Sequence, residues 1–167
     1  MQAKDQFLGL VNQSFRFRVY LLAKLPAAFF SGIKIKYCSE ERCTTTVPYK
    51  WLTQNPFHST YFASLAMAAE MSTGVLVLSN TYKRKQAVSV LIIKMEANYL
   101  KKATEITFFT CEEGLKIENA VNEAAATLEG KTITVKSVGK NRDGELIAEF
   151  LFTWSFKSRC KVNPLKR

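Results

Sequence analysis

The sequence predicts an α+β fold in which one curved antiparallel sheet of about six strands wraps a helix that is apolar on every side. Three observations carry this. Between Trp51 and Tyr82 only Glu70 bears a formal charge. Residues 59–72, in the middle of that stretch, are strong helix formers without Gly or Pro. A helix without a polar stripe has to be enclosed by other structure, and the long runs of Val, Ile, Phe and Thr that follow it are strand material.

The elements follow in order. Residues 5–25 place Phe7, Leu8, Leu10, Val11, Phe15, Val19, Leu22 and Leu25 at mixed three- and four-residue steps. This pattern predicts one amphipathic helix with Arg16 and Lys24 outside, ending before Pro26. Ile33, Ile35 and Tyr37 alternate with Lys34 and Lys36, which predicts a half-buried strand. The β-branched run 44–49 returns from a turn at 39–42 and completes a hairpin. Asn55-Pro56 is the entry turn to the central helix, Ser59 or Thr60 its N-cap and Gly74 its stop. Strands are then expected at 75–78, 87–99 and 105–110. Residues 115–127 form a surface helix that turns Ile117, Ala120, Val121 and Ala124 inward. The last two strands, 132–138 and 145–156, flank Asn141 to Gly144, whose Asp-Gly step is a strong hairpin signal. No repeat or linker interrupts the chain. It reads as one domain over 1–167, with a helical extension at 1–31 and a core at 32–159.

The formal charge is +10, from 24 Lys and Arg against 14 Asp and Glu. Residues 1–36 hold six bases and one acid, and so do residues 83–102. These two blocks supply the whole excess and suit an anionic partner: nucleic acid, a membrane surface or the phosphates of coenzyme A. A solvated basic face is the plain alternative. A single-stranded nucleic-acid binder would interleave exposed aromatics with Lys and Arg. Here the aromatics sit in apolar runs such as Phe108-Phe109 and Phe150 to Phe156, so nucleic acid is not expected as a partner. Four cysteines, at 38, 43, 111 and 160, and one histidine lack the spacing of a zinc clamp, and no metal or cofactor is expected. Cys38 and Cys43 face each other across the expected hairpin, and free, partly buried thiols of a cytoplasmic protein are the expected state. No run of roughly 20 uninterrupted apolar residues marks a membrane span, and no secretory h-region is visible. The N-terminal helix either covers the sheet, reaches a neighbouring subunit or touches membrane lipid with its basic face.

The order of elements resembles the hot-dog fold proteins, closest to a bacterial branch of uncharacterised members described as acyl-CoA thioesterases. The resemblance covers about residues 32–159. Asn55 to Ala63 is similar to the family's Asn-containing approach to its helix, and Ala68 to Met71 matches the position where several thioesterases carry a catalytic carboxylate. Tyr99 to Ala103 resembles the strand end that follows, and Asn141 to Ala148 the final hairpin. Relatives often open the helix with His-Gly-Gly or Gly-Gly, where this chain has Tyr61, Phe62 and Ala63.

The resemblance implies a thioester hydrolase working as a homodimer or dimer of dimers on acyl-CoA. Glu70 is the candidate base by residue type and by family position, because a carboxyl on an apolar helix ionises reluctantly. Backbone amides near Phe62 and Ala63 are candidate oxyanion donors. Asn55 either binds the substrate carbonyl or caps its turn. His58 either takes part in catalysis or holds the loop; twelve residues of helix would put it roughly 18 Å from Glu70, so the two meet only across a subunit boundary or a chain bend. Thr73 either orients a water or bonds back to its own helix. Lys83, Arg84, Lys85, Lys101 and Lys102 are candidates to neutralise the coenzyme phosphates. The alternative function is a non-catalytic acyl-CoA or fatty-acyl binder.

Overall fold

Glycine, proline and burial decide where the elements start and stop in the computed structural model, which describes residues 3–127 and 129–158. The helices are α1 (Ala3–Asn12), α2 (Ser14–Lys24), α3 (Pro26–Ser31), α4 (Phe62–Thr81) and α5 (Gly114–Thr127). The strands are β1 (Lys34–Cys38), β2 (Cys43–Val47), β3 (Val88–Tyr99), β4 (Thr107–Cys111), β5 (Lys131–Lys140) and β6 (Leu146–Ser158). All six strands form one sheet in the order β1-β2-β4-β5-β6-β3, every neighbour antiparallel. The hairpin at Asn141 to Gly144 is closed by Asn141, which accepts from the Glu145 amide at 2.8 Å.

Side-chain alternation assigns one sheet face to the core. On β6, Ala148, Phe150, Phe152, Trp154 and Phe156 point inward, and Val135, Ser137 and Gly139 do so on β5. Phe109, Phe150 and Phe152 pack ring against ring beneath α4. Burying each such ring contributes roughly 1.5–3 kcal/mol. The helix α5 lies beside α4 with Ile117, Ala120, Val121 and Ala124 buried, as its periodicity predicts.

The central helix is longer than expected. It runs 20 residues, through Gly74 and through 75–78, where a strand was expected. Val75, Leu76 and Val77 are all buried in it; burial in an enclosing sheet overrides their β preference. Its length and apolarity would also suit a bilayer, but here 67% of its most apolar 18-residue window is buried within the protein. Neither Ser59 nor Thr60 caps it. Tyr61 stands at the N-cap without a side-chain bond, and Thr60 instead donates its amide to the Ala103 carbonyl at 2.7 Å and its hydroxyl to the same oxygen at 3.1 Å.

Three polar ties set the rotation of α4 against the sheet. Thr45 donates its hydroxyl to the Ala68 carbonyl at 2.6 Å. The Ser72 and Ser137 hydroxyls meet at 2.8 Å, both fully buried. The indole N–H of Trp154 donates to the Thr73 hydroxyl at 3.2 Å.

The N-terminal segment departs from the expected single helix. It breaks at Gln13, and the inward residues are Phe7, Val11, Phe17 and Leu21. Phe15, Val19, Leu22 and Leu25 are exposed instead. The break shifts the helical phase, and Asn12 fixes it there: its side chain donates to the Cys38 carbonyl at 2.8 Å and accepts from the Cys38 amide at 3.1 Å. In β1 a bulge at Lys36 disturbs the register, so Tyr37 points out and Cys38 in. Cys38, Cys43 and Cys111 are free and buried. Cys38 is the register partner of Cys43, and Cys43 of Cys111. A hydrogen bond with Cys38 and burial push the Cys43 thiol up, and burial pushes Cys111 up to about 11. Cys160 and residue 159, the expected end of the core, lie outside the described residues.

Gly114 opens α5 against the β1–β2 turn and donates its amide to the Glu41 carbonyl at 2.8 Å. A β-carbon there would overlap the Glu40 carbonyl oxygen and sit 2.7 Å from the Glu41 carbonyl carbon. Both obstacles are backbone, so Gly114→Ala is expected to cost roughly 1–3 kcal/mol, read as a thermal midpoint several degrees lower.

Candidate active site

Glu70 sits in α4 about 200° around the helix from Ala68, the residue tied to the sheet through Thr45. Its carboxylate therefore turns away from β2 and into a pocket of about 310 Å³ between α2 and the β3 and β6 part of the sheet. The lining is apolar apart from Glu70, Tyr20 and Lys24: Phe17, Leu25, Met71, Val75, Leu78, Val90 and Trp154 supply most of it. Among the described residues the carboxylate makes no hydrogen bond and no ion pair. Burial without compensation pushes its pKa up from 4.5 to about 7. A group held near neutrality can both take and return a proton under ordinary conditions.

Gly74 makes that placement possible. One helical turn after Glu70, it lets the carboxylate fold back over the helix, where a β-carbon would lie 2.5 Å from Oε1. The sequence reading of Gly74 as a helix stop missed this role. The i, i+4 pairing of a lone acid with a glycine inside an apolar helix was the available signal.

A second concavity, about 560 Å³, opens at the N-terminal end of α4. It brings Asn55, Phe62, Lys101 and Lys102 together with Phe57, Tyr61, Tyr99 and Leu100. The Asn55 side chain accepts from the amides of Phe57 at 3.0 Å and Ser59 at 3.2 Å, and from the Ser59 hydroxyl at 3.3 Å. It thus builds the loop, and its Nδ2 makes no hydrogen bond among the described residues. The amides of Phe62 and Ala63 have no backbone acceptor among the described residues, while those of Ser64 and Leu65 reach Tyr61. They are the free donors of a helix N-terminus. Tyr61 and Phe62 meet edge to face at 4.7 Å, and Phe62 meets Tyr99 at 6.5 Å. These aromatics are exposed, unlike those of the core.

The other candidates disperse. His58 is exposed in a left-handed turn (φ 57°), and its amide donates to the Asn55 carbonyl. Thr73 is buried and bonds back to the Glu70 carbonyl at 2.9 Å while accepting from Trp154. Lys101 pairs with Glu145 at 2.6 Å, and Lys102 donates to the Phe57 carbonyl at 3.3 Å. Lys83, Arg84 and Lys85 follow the far end of α4, roughly 30 Å along the helix from Phe62. Lys83 lies over the Tyr82 ring, and Arg84 holds the Asn80 carbonyl and the Asn122 side chain. Within one chain, then, the Glu70 pocket and the Asn55 cleft share no lining residue, and the two basic groups stand at opposite ends. No group of three His, Cys, Asp or Glu suited to a metal occurs among the described residues.

A family model described as a domain of unknown function (DUF4442) matches residues 16–156. The chain belongs to the DUF4442 family. No curated protein sequence is significantly similar to it. Among solved structures, a Pseudomonas aeruginosa protein of unknown function, described as a probable thioesterase, superposes with a TM-score of 0.74 at 16% identity. The match covers 87% of this chain and 96% of that one. A protein of unknown function from Chlorobaculum tepidum gives 0.72 at 14% identity over 86% and 93% of the two chains. A thioesterase from Haemophilus influenzae gives 0.63 at 15% identity over 89% and 92%. At these identities the likeness establishes the fold: this DUF4442 protein is a hot-dog, its sheet curved around α4 as the sequence predicts.

Two measurements test the Glu70 geometry. Because the obstacle to a β-carbon at Gly74 is a flexible carboxylate, Gly74→Ala is expected to leave stability unchanged or raise it by about 1 kcal/mol. It should still displace Glu70, seen as a fall in its apparent pKa by carboxyl-resolved NMR. A carboxyl with a raised folded-state pKa binds protons more tightly when folded, so its penalty is absent below the unfolded value and grows as pH rises from about 4.5 through about 7. Glu70→Gln is therefore expected to match the wild type at pH 4.5 and to exceed it at pH 8, by on the order of 3 kcal/mol at most in denaturant titrations.

Proposed function

We propose that this protein is a thioester hydrolase acting on fatty-acyl or related acyl-CoA, with Glu70 as general base. The observation that carries the proposal is the uncompensated Glu70 carboxyl in an apolar pocket on the central helix. Glu70 takes a proton from water, and the hydroxide attacks the thioester carbonyl. The Phe62 and Ala63 amides and Asn55 Nδ2 hold the oxygen as it becomes negative; collapse of the adduct expels the thiolate, which takes the proton back from Glu70 and leaves as thiol, and the acid formed ionises to carboxylate. The apolar pocket receives the acyl chain.

The proposal includes a homodimer joined through β3. This strand ends the sheet, and Leu91, Ile93 and Met95 are exposed on it by 64%, 52% and 48%, which leaves a long edge strand without a partner among the described residues. Two copies pairing antiparallel about the middle of β3 would set Val88 to Val90 of one strand opposite Ala97 to Tyr99 of the other. Val90 lines the Glu70 pocket and Tyr99 the Asn55 cleft. The same pairing would bring Lys83 to Lys85 of one protomer near Lys101 and Lys102 of the other, a combined cationic seat for the coenzyme phosphates. The two half-sites that stay apart in one chain become one across the interface.

A second reading, an acyl-CoA binder without turnover, is favoured by Tyr61 and Phe62, whose rings occupy the cleft where relatives carry glycine. Assays with acyl-CoAs of graded chain length separate the two. Hydrolysis is expected, falling about 10²- to 10⁴-fold in kcat for Glu70→Gln. Activity unchanged in that variant removes Glu70 from the mechanism, and saturable binding without product supports the binder. A composite site predicts further that mixing Glu70→Gln protomers with Lys101→Glu/Lys102→Glu protomers restores about a quarter of wild-type activity, because half the dimers then hold one intact site.

A further inference from the structure

Helix α2 is apolar on two opposite sides. Phe17 and Leu21 enter the core, whereas Phe15, Val19 and Leu22 point outward with exposures of 81%, 54% and 47%. At 100° per residue these three fall within roughly 60° of the helix circumference, so they form one stripe along its outer face. Arg16 flanks the stripe on one side and Arg18 on the other. Arg18 lies over the Phe29 ring at 4.7 Å, and Phe29 meets Phe30, itself 56% exposed, at 5.3 Å. Neither α2 nor α3 contains an acid.

We infer that this face docks on an anionic phospholipid bilayer, with Phe15, Val19 and Leu22 seated between headgroups and the arginines on lipid phosphates. An apolar stripe bordered by guanidinium groups matches such a surface in both chemistry and charge. It does not match a second copy of itself. A two-fold contact would press Arg16 and Arg18 of one protomer against the same two cations of the other, with no acid in α2 or α3 to separate them. The inner side of α2 supplies Phe17, Tyr20 and Lys24 to the Glu70 pocket, and Leu25, just after it, joins them. The helix thus stands between the bilayer and that pocket, whether or not the pocket hydrolyses its ligand.

The test is vesicle flotation of the full chain with phosphatidylcholine alone and with phosphatidylcholine containing phosphatidylglycerol. Capture is expected on the anionic vesicles, weakening as salt rises. Phe15→Ser/Val19→Ser/Leu22→Ser should lower it at least about tenfold, and Phe15→Ser alone severalfold, with unchanged circular dichroism. The single variant keeps the test valid should the triple variant fold poorly. Absence of wild-type capture overturns the inference. So does capture that Phe15→Ser leaves intact, which would place the contact on another basic block. A triple variant that turns from dimer to monomer in sedimentation, with vesicle binding unaltered, overturns it in favour of an interface between copies.

Discussion

The arrangement depends on how a helix with no polar side is held at one rotation. Apolarity alone gives α4 no preferred inward face, since nearly any rotation buries a similar surface. The decision falls to hydroxyls: Thr45 on the Ala68 carbonyl, Ser72 on Ser137, and Thr73 under the Trp154 indole. Each is buried, so a rotation that broke it would strand a polar group at a cost of about 1–3 kcal/mol. These contacts run to β2, β5 and β6, and they leave Glu70 facing the pocket that α2 covers. The position of the acid follows from groups that take no part in any chemistry.

The same constraint explains the electrostatics at Glu70. Its isolation is not a packing fault, because Gly74 makes room for the carboxylate and Trp154 and Val90 line the half-buried pocket around it. A neighbouring base would have drawn its pKa down and neutralised the site. Lys24 is in the lining but forms no bond to it. The N-terminal segment closes this pocket, so what the residue numbering presents as an extension is structurally part of the candidate site.

Much of this was legible in the sequence where periodicity and burial agree. The strands β5 and β6 alternate cleanly, β3 is dense in Val and Ile, α5 shows its inward face, and Asn141 to Gly144 declares a turn. The lone charge in an apolar stretch pointed to Glu70. Legibility failed where local signals and tertiary context part. Gly74 reads as a stop, yet serves as the floor under a carboxylate. Val75 to Leu78 read as strand, but enclosure makes them helix. The apolar residues of 5–25 fit one long helix until Asn12 binds the backbone of β1 and resets the phase, which exchanged Phe15, Val19 and Leu22 for Phe17 and Leu21 as the buried set. The Glu70 pocket draws on α2, β3 and β6, and no local pattern announces a wall assembled from three distant segments.

The bond between Asn12 and Cys38 reaches further than helix phase. By occupying both backbone groups of Cys38, next to a bulge, it spoils one margin of the sheet as a template for another strand. The opposite margin, β3, has one irregularity near Ile93 and no strand beyond it among the described residues. A molecule with a single usable margin can add one neighbour and then has nothing left to offer, so growth along the sheet is self-terminating and fibrous stacking is denied a second step.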